Sequence, residues 1–224
     1  MKNKKYKIGT WVTTYNPASV EVISNAGFDW VCFDLEHSSI SFEELNIMLI
    51  VLEKNRIESY VRVSSNNKSE IKKVLDLGAK GIIIPMINNL RDAKNAVSYS
   101  RYPTLGERGV GFSRAQQYGF GFNQYIKNAN KIKLIFQIET VEAIKNLEQI
   151  FSVKGFNGTL IGPYDLSGSL GKLGNFNTKE FKNAIKKYEE ISKRYKIKMG
   201  MHTAFPKVNE VKKLIKKNYQ FLAV

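Results

Sequence analysis

Only one cysteine, Cys32, occurs in 224 residues, so no intrachain disulfide can form and a cysteine-built zinc cluster is excluded. With two histidines there is no His-rich zinc cluster either, and neither a Walker loop nor a GxSxG elbow is present. Long apolar runs are also missing. The longest, such as GIIIPM, fall far short of a membrane span, and the lysines of MKNKKYKIGTW lead into no apolar signal-type stretch. These absences predict a cytoplasmic chain that is neither secreted nor inserted in a membrane. No Pro/Gly/Ser-rich linker divides it, so residues 1–224 read as a single domain. Acidic residues are scarce, 20 against 35 Lys and Arg, for a formal charge of +15. The lysines, however, are spread over helix-patterned segments such as KSEIKKVLD and KEFKNAIKKYEEISKRYK and are interleaved with Glu, as on solvated outer faces. Nucleic acid is therefore not the expected partner.

What the chain does have is alternation. Short β-branched or apolar runs recur at 7–13, 30–36, 59–64, 81–86, 133–139, 158–163, 198–203 and 219–224, with seven helix-period segments between them. The segment at 41–55 opens with a capping box of Ser41 and Glu44, and TVEAIKNLEQI shows the same 3.6-residue spacing. Eight strands alternating with helices predict an α/β fold, a TIM (β/α)8 barrel. Two features stand out against that scheme. Residues 102–130 are long for a connection and rich in Gly, Arg and aromatics, as in a lid or binding loop, and they carry a helix pattern near 122–129. The eighth strand runs to Val224 with no eighth helix after it, so its outer face is expected to lack a covering helix of its own.

Barrel chemistry gathers at the C-terminal ends of the strands. There the sequence places Asp34, Glu36 and His37 after strand 2, Arg62 on strand 3, Gln137 and Glu139 on strand 5, Asp165 past strand 6 and His202 on strand 7. Glu139 and Asp165 come from neighbouring strands and suit a hard divalent cation, although pairing with nearby Lys or Arg fits their position equally well. His37 is placed for acid–base work, or is simply a partly buried histidine. Arg62, alternating with Val61 and Val63, should face inward and needs an anionic partner, either a substrate or a structural carboxylate. No lysine stands at a strand's C-terminal end, since Lys133 and Lys198 open or precede theirs, which disfavours Schiff-base chemistry.

The motifs GFDWVCFDLEHSS, VRVSSNN, KKVLDLGAKGIIIPMINN, YPTLGERGVGFSRAQQYG, QIETVEAIKNLEQI and IGPYDLSGSLG, in this order, resemble the HpcH/HpaI class II aldolases. The resemblance implies a lyase that makes or breaks the C–C bond of a 4-hydroxy-2-oxo (2-keto-3-deoxy) acid through a pyruvate enolate, with a keto acid and an aldehyde as partners. It further implies a divalent metal (Mg2+, Mn2+ or Co2+) on Glu139 and Asp165 and no organic cofactor. Arg62 would steady the enolate oxygen, and His37, oriented by Asp76, would manage protons. Asp34, Gln137, Gly162, Pro163 and Tyr164 would line the substrate site. The family's hexamers imply a homo-oligomer, in which the missing helix would matter. Relatives also include carboligases and citrate-synthase-like enzymes, and a truncated, non-catalytic barrel is a further alternative.

Overall fold

The computed structural model describes residues 5–224. Eight parallel strands close in sequence order into one barrel: β1 (Lys7–Val12), β2 (Trp30–Asp34), β3 (Glu58–Arg62), β4 (Gly81–Ile84), β5 (Lys133–Ile138), β6 (Gly158–Ile161), β7 (Met199–His202) and β8 (Tyr219–Ala223), with β8 pairing back onto β1. This is the (β/α)8 barrel expected from the alternation. Several strands stop earlier than the apolar pattern does. β2 ends at Asp34, β4 at Ile84 and β6 at Ile161. Pro85 and Pro163 have no N–H to give to a ladder, and after β2 the backbone N–H groups of Glu36 and His37 turn onto the Asp34 carboxylate instead.

Helices α1 (Pro17–Asn25), α2 (Phe42–Lys54), α3 (Lys68–Asp76) and α4 (Leu90–Ser100) follow the first four strands. α5 (Phe122–Asn128) precedes β5, α6 (Val141–Lys145) and α7 (Leu147–Ser152) follow it, α8 (Pro163–Ser169) and α9 (Lys179–Tyr195) follow β6, and α10 (Val208–Lys216) lies between β7 and β8. The capping box forms as expected: the Glu44 N–H donates to Ser41 Oγ at 3.2 Å and the Ser41 N–H donates to Glu44 Oε2 at 2.8 Å. The single helix read from TVEAIKNLEQI is divided at Asn146 (φ −96°, ψ 9°), whose side chain donates to the Asn88 carbonyl at 2.9 Å. An amide that leaves the helical path to serve a neighbouring loop is the local reason for the break.

Strand alternation sorts the side chains into two cores. Val31, Phe33, Val61, Ile82 and Phe136 face the helices, while Trp30, Cys32, Tyr60, Ile83, Ile135, Leu160, Phe221 and Ala223 fill the barrel itself. The inner filling is tight. A Cβ on Gly9 would stand 2.0 Å from the Trp30 ring, and one on Gly81 would stand 2.3 Å from the Tyr60 ring, so both positions require glycine to admit these aromatics.

Residues 102–130 do not climb over the C-terminal ends of the strands as a lid. They contain the expected helix as α5, but they stay at the end of the barrel to which α4 returns the chain. There Arg108, which is buried, donates to Asp76 at 2.7 Å, its guanidinium lies 4.5 Å from the Tyr102 ring centre, and Arg114 donates to the Leu77 carbonyl at 2.6 Å. Among the described residues no helix is long and apolar enough to cross a membrane.

Candidate active site

Strands β2, β3 and β5 carry their inward side chains from apolar residues to a polar end. On β2 the inward series Trp30, Cys32 ends in Asp34, and on β3 Tyr60 is followed by Arg62. Their register sets Asp34 beside Arg62, and the pair closes in a fork: Nε donates to Oδ1 at 2.8 Å and Nη2 donates to Oδ2 at 2.6 Å. Burial alone would raise the Asp34 carboxyl, but the Arg62 hydrogen bonds and charge outweigh it and hold the group below its ordinary range. Arg62 also lies over the Trp11 ring at 4.6 Å, and its remaining Nη1 sits 3.2 Å from Glu36 Oε2. The guanidinium is thus held on three sides.

Across the mouth, Glu139 follows β5 and is 3% exposed. Its Oε1 accepts the Met86 N–H at 2.7 Å, and its Oε2 accepts a short hydrogen bond from Gln137 Nε2. Asp165, in the first turn of α8, is exposed toward the opening. The two carboxylates converge on the space that Gly162 leaves open. A Cβ there would lie 2.9 Å from Glu139 Oε2 and 3.3 Å from Asp165 Oδ2. Burial raises the Glu139 carboxyl and the Asp165 charge adds to the shift, against the Gln137 and Met86 hydrogen bonds. Two hard oxygen donors facing one gap fit a divalent cation that keeps several positions for water or substrate oxygens. Among the described residues no group of three or more His, Cys, Asp or Glu side chains is placed to hold a metal, so a closed, zinc-type cage is not what the donors form.

Of the residues singled out in the sequence, Asp34, Arg62, Gln137, Glu139, Gly162 and Asp165 meet at this mouth, with Pro163 and Tyr164 at its edge as the first residues of α8. The expected orientation of His37 by Asp76 is not what this chain forms. Asp76 is the last residue of α3, nine residues and about 13 Å of helix from the mouth end, and it is paired with Arg108. His37 stands at the mouth with 62% of its side chain exposed, and its Nε2 is 3.7 Å from Glu36 Oε2. Asp34 serves Arg62 and backbone N–H groups rather than presenting free oxygens to a ligand.

Sequence reasoning passed over Trp11, whose ring forms the wall between Arg62 and His202, 5.2 Å from the His202 ring. Only its alternation with Gly9 on β1 could have flagged it. His202 is pushed down to about 4, first by burial and then by the Arg62 charge, so it is neutral at neutral pH. Glu36 is pushed up to about 7, first by burial, with the charges of Glu139, Asp34 and Asp165 adding against Arg62.

The family model for the HpcH/HpaI aldolase/citrate lyase family matches residues 7–224. The chain is 36% identical over 177 residues to a 2-dehydro-3,6-dideoxy-6-sulfogluconate aldolase of Pseudomonas putida, covering 78% of this chain and 69% of that one. It is 35% identical over 193 residues to a 5-keto-4-deoxy-D-glucarate aldolase of Enterobacter sp. strain 638, covering 86% and 75%. Among solved structures, an HpcH/HpaI aldolase/citrate lyase family protein of Burkholderia cenocepacia J2315 superposes with a TM-score of 0.91 at 26% identity, over 100% of this chain and 89% of that one. The citrate synthase SbnG superposes at 0.87 with 25% identity, over 98% and 85%.

Proposed function

The chain belongs to the HpcH/HpaI aldolase/citrate lyase family and is an aldolase, a carbon–carbon lyase, and on that premise we propose that it depends on a divalent metal and makes or breaks the C3–C4 bond of a 4-hydroxy-2-oxo acid. Pyruvate and an aldehyde are then its small-molecule partners. The observation that carries this reading is the mouth itself, where two carboxylates converge across Gly162 while a guanidinium is locked beside them. Glu139 and Asp165 would hold the ion, Mg2+, Mn2+ or Co2+, which when bound supplies Lewis-acid polarisation of a keto oxygen.

The chain's own residues supply the rest. Arg62 places fixed positive charge where the enolate oxygen develops its negative charge, and Asp34 keeps the fork from rotating away. Gln137 orients Glu139 through its amide, which leaves its own Oε1 buried without a hydrogen-bond partner and open to a substrate donor. The absence of a side chain at Gly162, with Pro163 and Tyr164 beside it, shapes the floor on which the keto acid lies. His37, at the exposed rim, moves protons between the site and solvent.

A cytoplasmic homo-oligomer completes the proposal. It is supported by the single, buried Cys32, whose thiol burial pushes well up, and by the exposed apolar residues Leu105, Val110, Phe112 and Phe120 in the long connection. The aldolase reading is preferred to citrate-synthase chemistry because the aldolases are the more similar in sequence. Supplying Mg2+ or Mn2+ with a panel of hydroxy-keto acids should release pyruvate, and oxaloacetate with acetyl-CoA should not react. No pyruvate from any hydroxy-keto acid, with turnover of the second pair, would overturn it.

A further inference from the structure

We propose that the strand-start end of the barrel is a second ligand site, which takes the diphosphate group of a small metabolite on Lys5, Lys133 and Lys198. Alternate strands of such a barrel contribute layers of inward side chains, and those layers are ordinarily apolar and branched. Here the phase that turns Arg62 and Gln137 inward at the mouth runs back through Tyr60 and Ile135 to Glu58 and Lys133. On β1 the same phase begins at Lys7, and Lys198 stands just before β7. A layer that would close the core with methyl groups is instead made of three ammonium groups and one carboxylate.

These side chains, with Lys5, line a cavity of about 240 Å³ against Tyr60, Ile135 and Phe221. Gly158 keeps it open, since a Cβ there would stand 3.0 Å from the Lys198 carbonyl oxygen and 3.2 Å from the Lys198 Cβ. Glu58 is already engaged: Lys7 Nζ donates to its Oε1 at 2.5 Å and the Tyr60 hydroxyl donates to its Oε2 at 3.4 Å. Among the described residues, Lys5, Lys133 and Lys198 are left without an ion-pair partner. Like charges around one hollow repel one another and focus a positive potential into it, and an anion that enters relieves the repulsion.

The cations select phosphate over carboxylate. A planar carboxylate is matched by the fork of an arginine, as Asp34 is at the mouth, whereas lysine ammoniums are compact point charges that swing onto tetrahedral phosphoryl oxygens. Two linked phosphoryl groups carry roughly three negative charges at neutral pH, a match for the three unpaired lysines. The cavity is smaller than the roughly 300–1,000 Å³ that encloses a drug-sized ligand, but a neighbouring hollow of about 260 Å³ shares Lys5, Tyr6 and Gln220 with it. The diphosphate therefore belongs either to free pyrophosphate or to a nucleoside diphosphate whose nucleoside extends into that neighbour. Lys133 and Glu139 are about 20 Å of extended chain apart, so an occupant here leaves the mouth free.

The test is calorimetric titration of pyrophosphate, and separately of ADP, into the full chain with divalent ions chelated, so that no metal–phosphate complex is drawn to Glu139 and Asp165. One saturable site is expected, weakening as ionic strength rises. Lys133→Met and Lys198→Met should each weaken it by about tenfold or more, and the double variant by about 10²-fold or more. Glu58→Gln removes the opposing charge and frees Lys7, so it should bind pyrophosphate several-fold more tightly, a gain that keeps the test decisive should a lysine variant not fold. Glu139→Gln, at the far end, should keep the wild-type affinity. ADP that displaces pyrophosphate assigns the nucleoside form, and pyrophosphate binding without ADP binding assigns the free ion. No saturable site for either compound, equal affinity for sulfate, wild-type affinity in the double lysine variant, no gain in Glu58→Gln, or loss of binding in Glu139→Gln overturns the proposal.

Discussion

The same eight strands build both ends of this barrel, yet the ends are opposites. At the floor, Trp30 stacks on Phe221 with ring centres 4.2 Å apart and an interplanar angle of 7°, and Tyr60 meets both edge-on. These three rings pack on one another, and of their polar atoms the buried Trp30 Nε1 has no hydrogen-bond partner. Four residues along from Trp30 on β2 stands Asp34, and two along from Tyr60 on β3 stands Arg62, while β5 passes from Ile135 to Gln137 and then to Glu139 just beyond its end. At this mouth, buried atoms of Trp11, Glu36 and Gln137 have no hydrogen-bond partner. The floor is filled by packed aromatic rings, whereas the mouth gathers charged and polar side chains, the arrangement on which the proposed binding of metal and keto acid rests. The division matches the general separation of stability and chemistry in barrels of this class. Lys133 and Lys198, at strand starts, rim the floor, at the opposite end of the barrel from the carboxylates of the mouth.

The contrast breaks most visibly at Arg62, the one mouth residue that serves both ends' purposes. Arg62→Met should lower the rate of cleavage by about 10²- to 10³-fold. Because it leaves Asp34 buried without its partner, it should also cost about 3–5 kcal/mol in chemical denaturation. Phe221→Ala, at the floor, should cost a comparable 3–5 kcal/mol by removing a stacked ring, but it should leave kcat near wild type. Gly9→Ala sharpens the same point, because the added methyl must displace the Trp30 ring. A loss of about 3 kcal/mol, at the upper end for overpacking, is expected by thermal unfolding. Floor variants that slowed catalysis as much as Arg62→Met does would show the two ends to be one energetic unit.

How much of this was legible in the sequence follows from the kind of interaction involved. Strand alternation and the Ser41–Glu44 box depend on residues close in sequence, so the barrel and the start of α2 could be read directly. The inward turn of Arg62 was legible too, since Val61 and Val63 fix the phase. Pairing between distant segments was not: nothing local in KKVLD says that Asp76 meets Arg108, nor that Asn146 turns out of its helix toward Asn88. Glu36 was visible as a strand-end carboxylate, but its lack of a hydrogen-bond donor arises only from how Asp34 occupies Arg62. Trp11 carried no local signal, because its place between Arg62 and His202 exists only once the barrel closes.

The smallest effect is the most specific to the mouth, and it is a pH dependence with two opposed components, best measured on metal-free protein. Burial lowers His202 to about 4 from an unfolded value of about 6.5, so between these limits the unfolded chain binds the extra proton. Its contribution is complete above about 6.5 and is lost as pH falls toward about 4, on the order of 3 kcal/mol in all. Glu36 behaves in the reverse sense. Its carboxyl, raised to about 7, makes the folded chain the better proton binder, so that contribution is complete below the ordinary carboxylate value and is lost as pH rises through about 7. Glu139, raised chiefly by burial, pulls the same way. Denaturant midpoints across this window should therefore fall more steeply with rising pH in His202→Phe than in wild type, and less steeply in Glu36→Gln. Parallel curves for all three proteins would mean that both groups are solvated in the folded state, and the mouth would lose the buried, unfinished character that sets it apart from the floor.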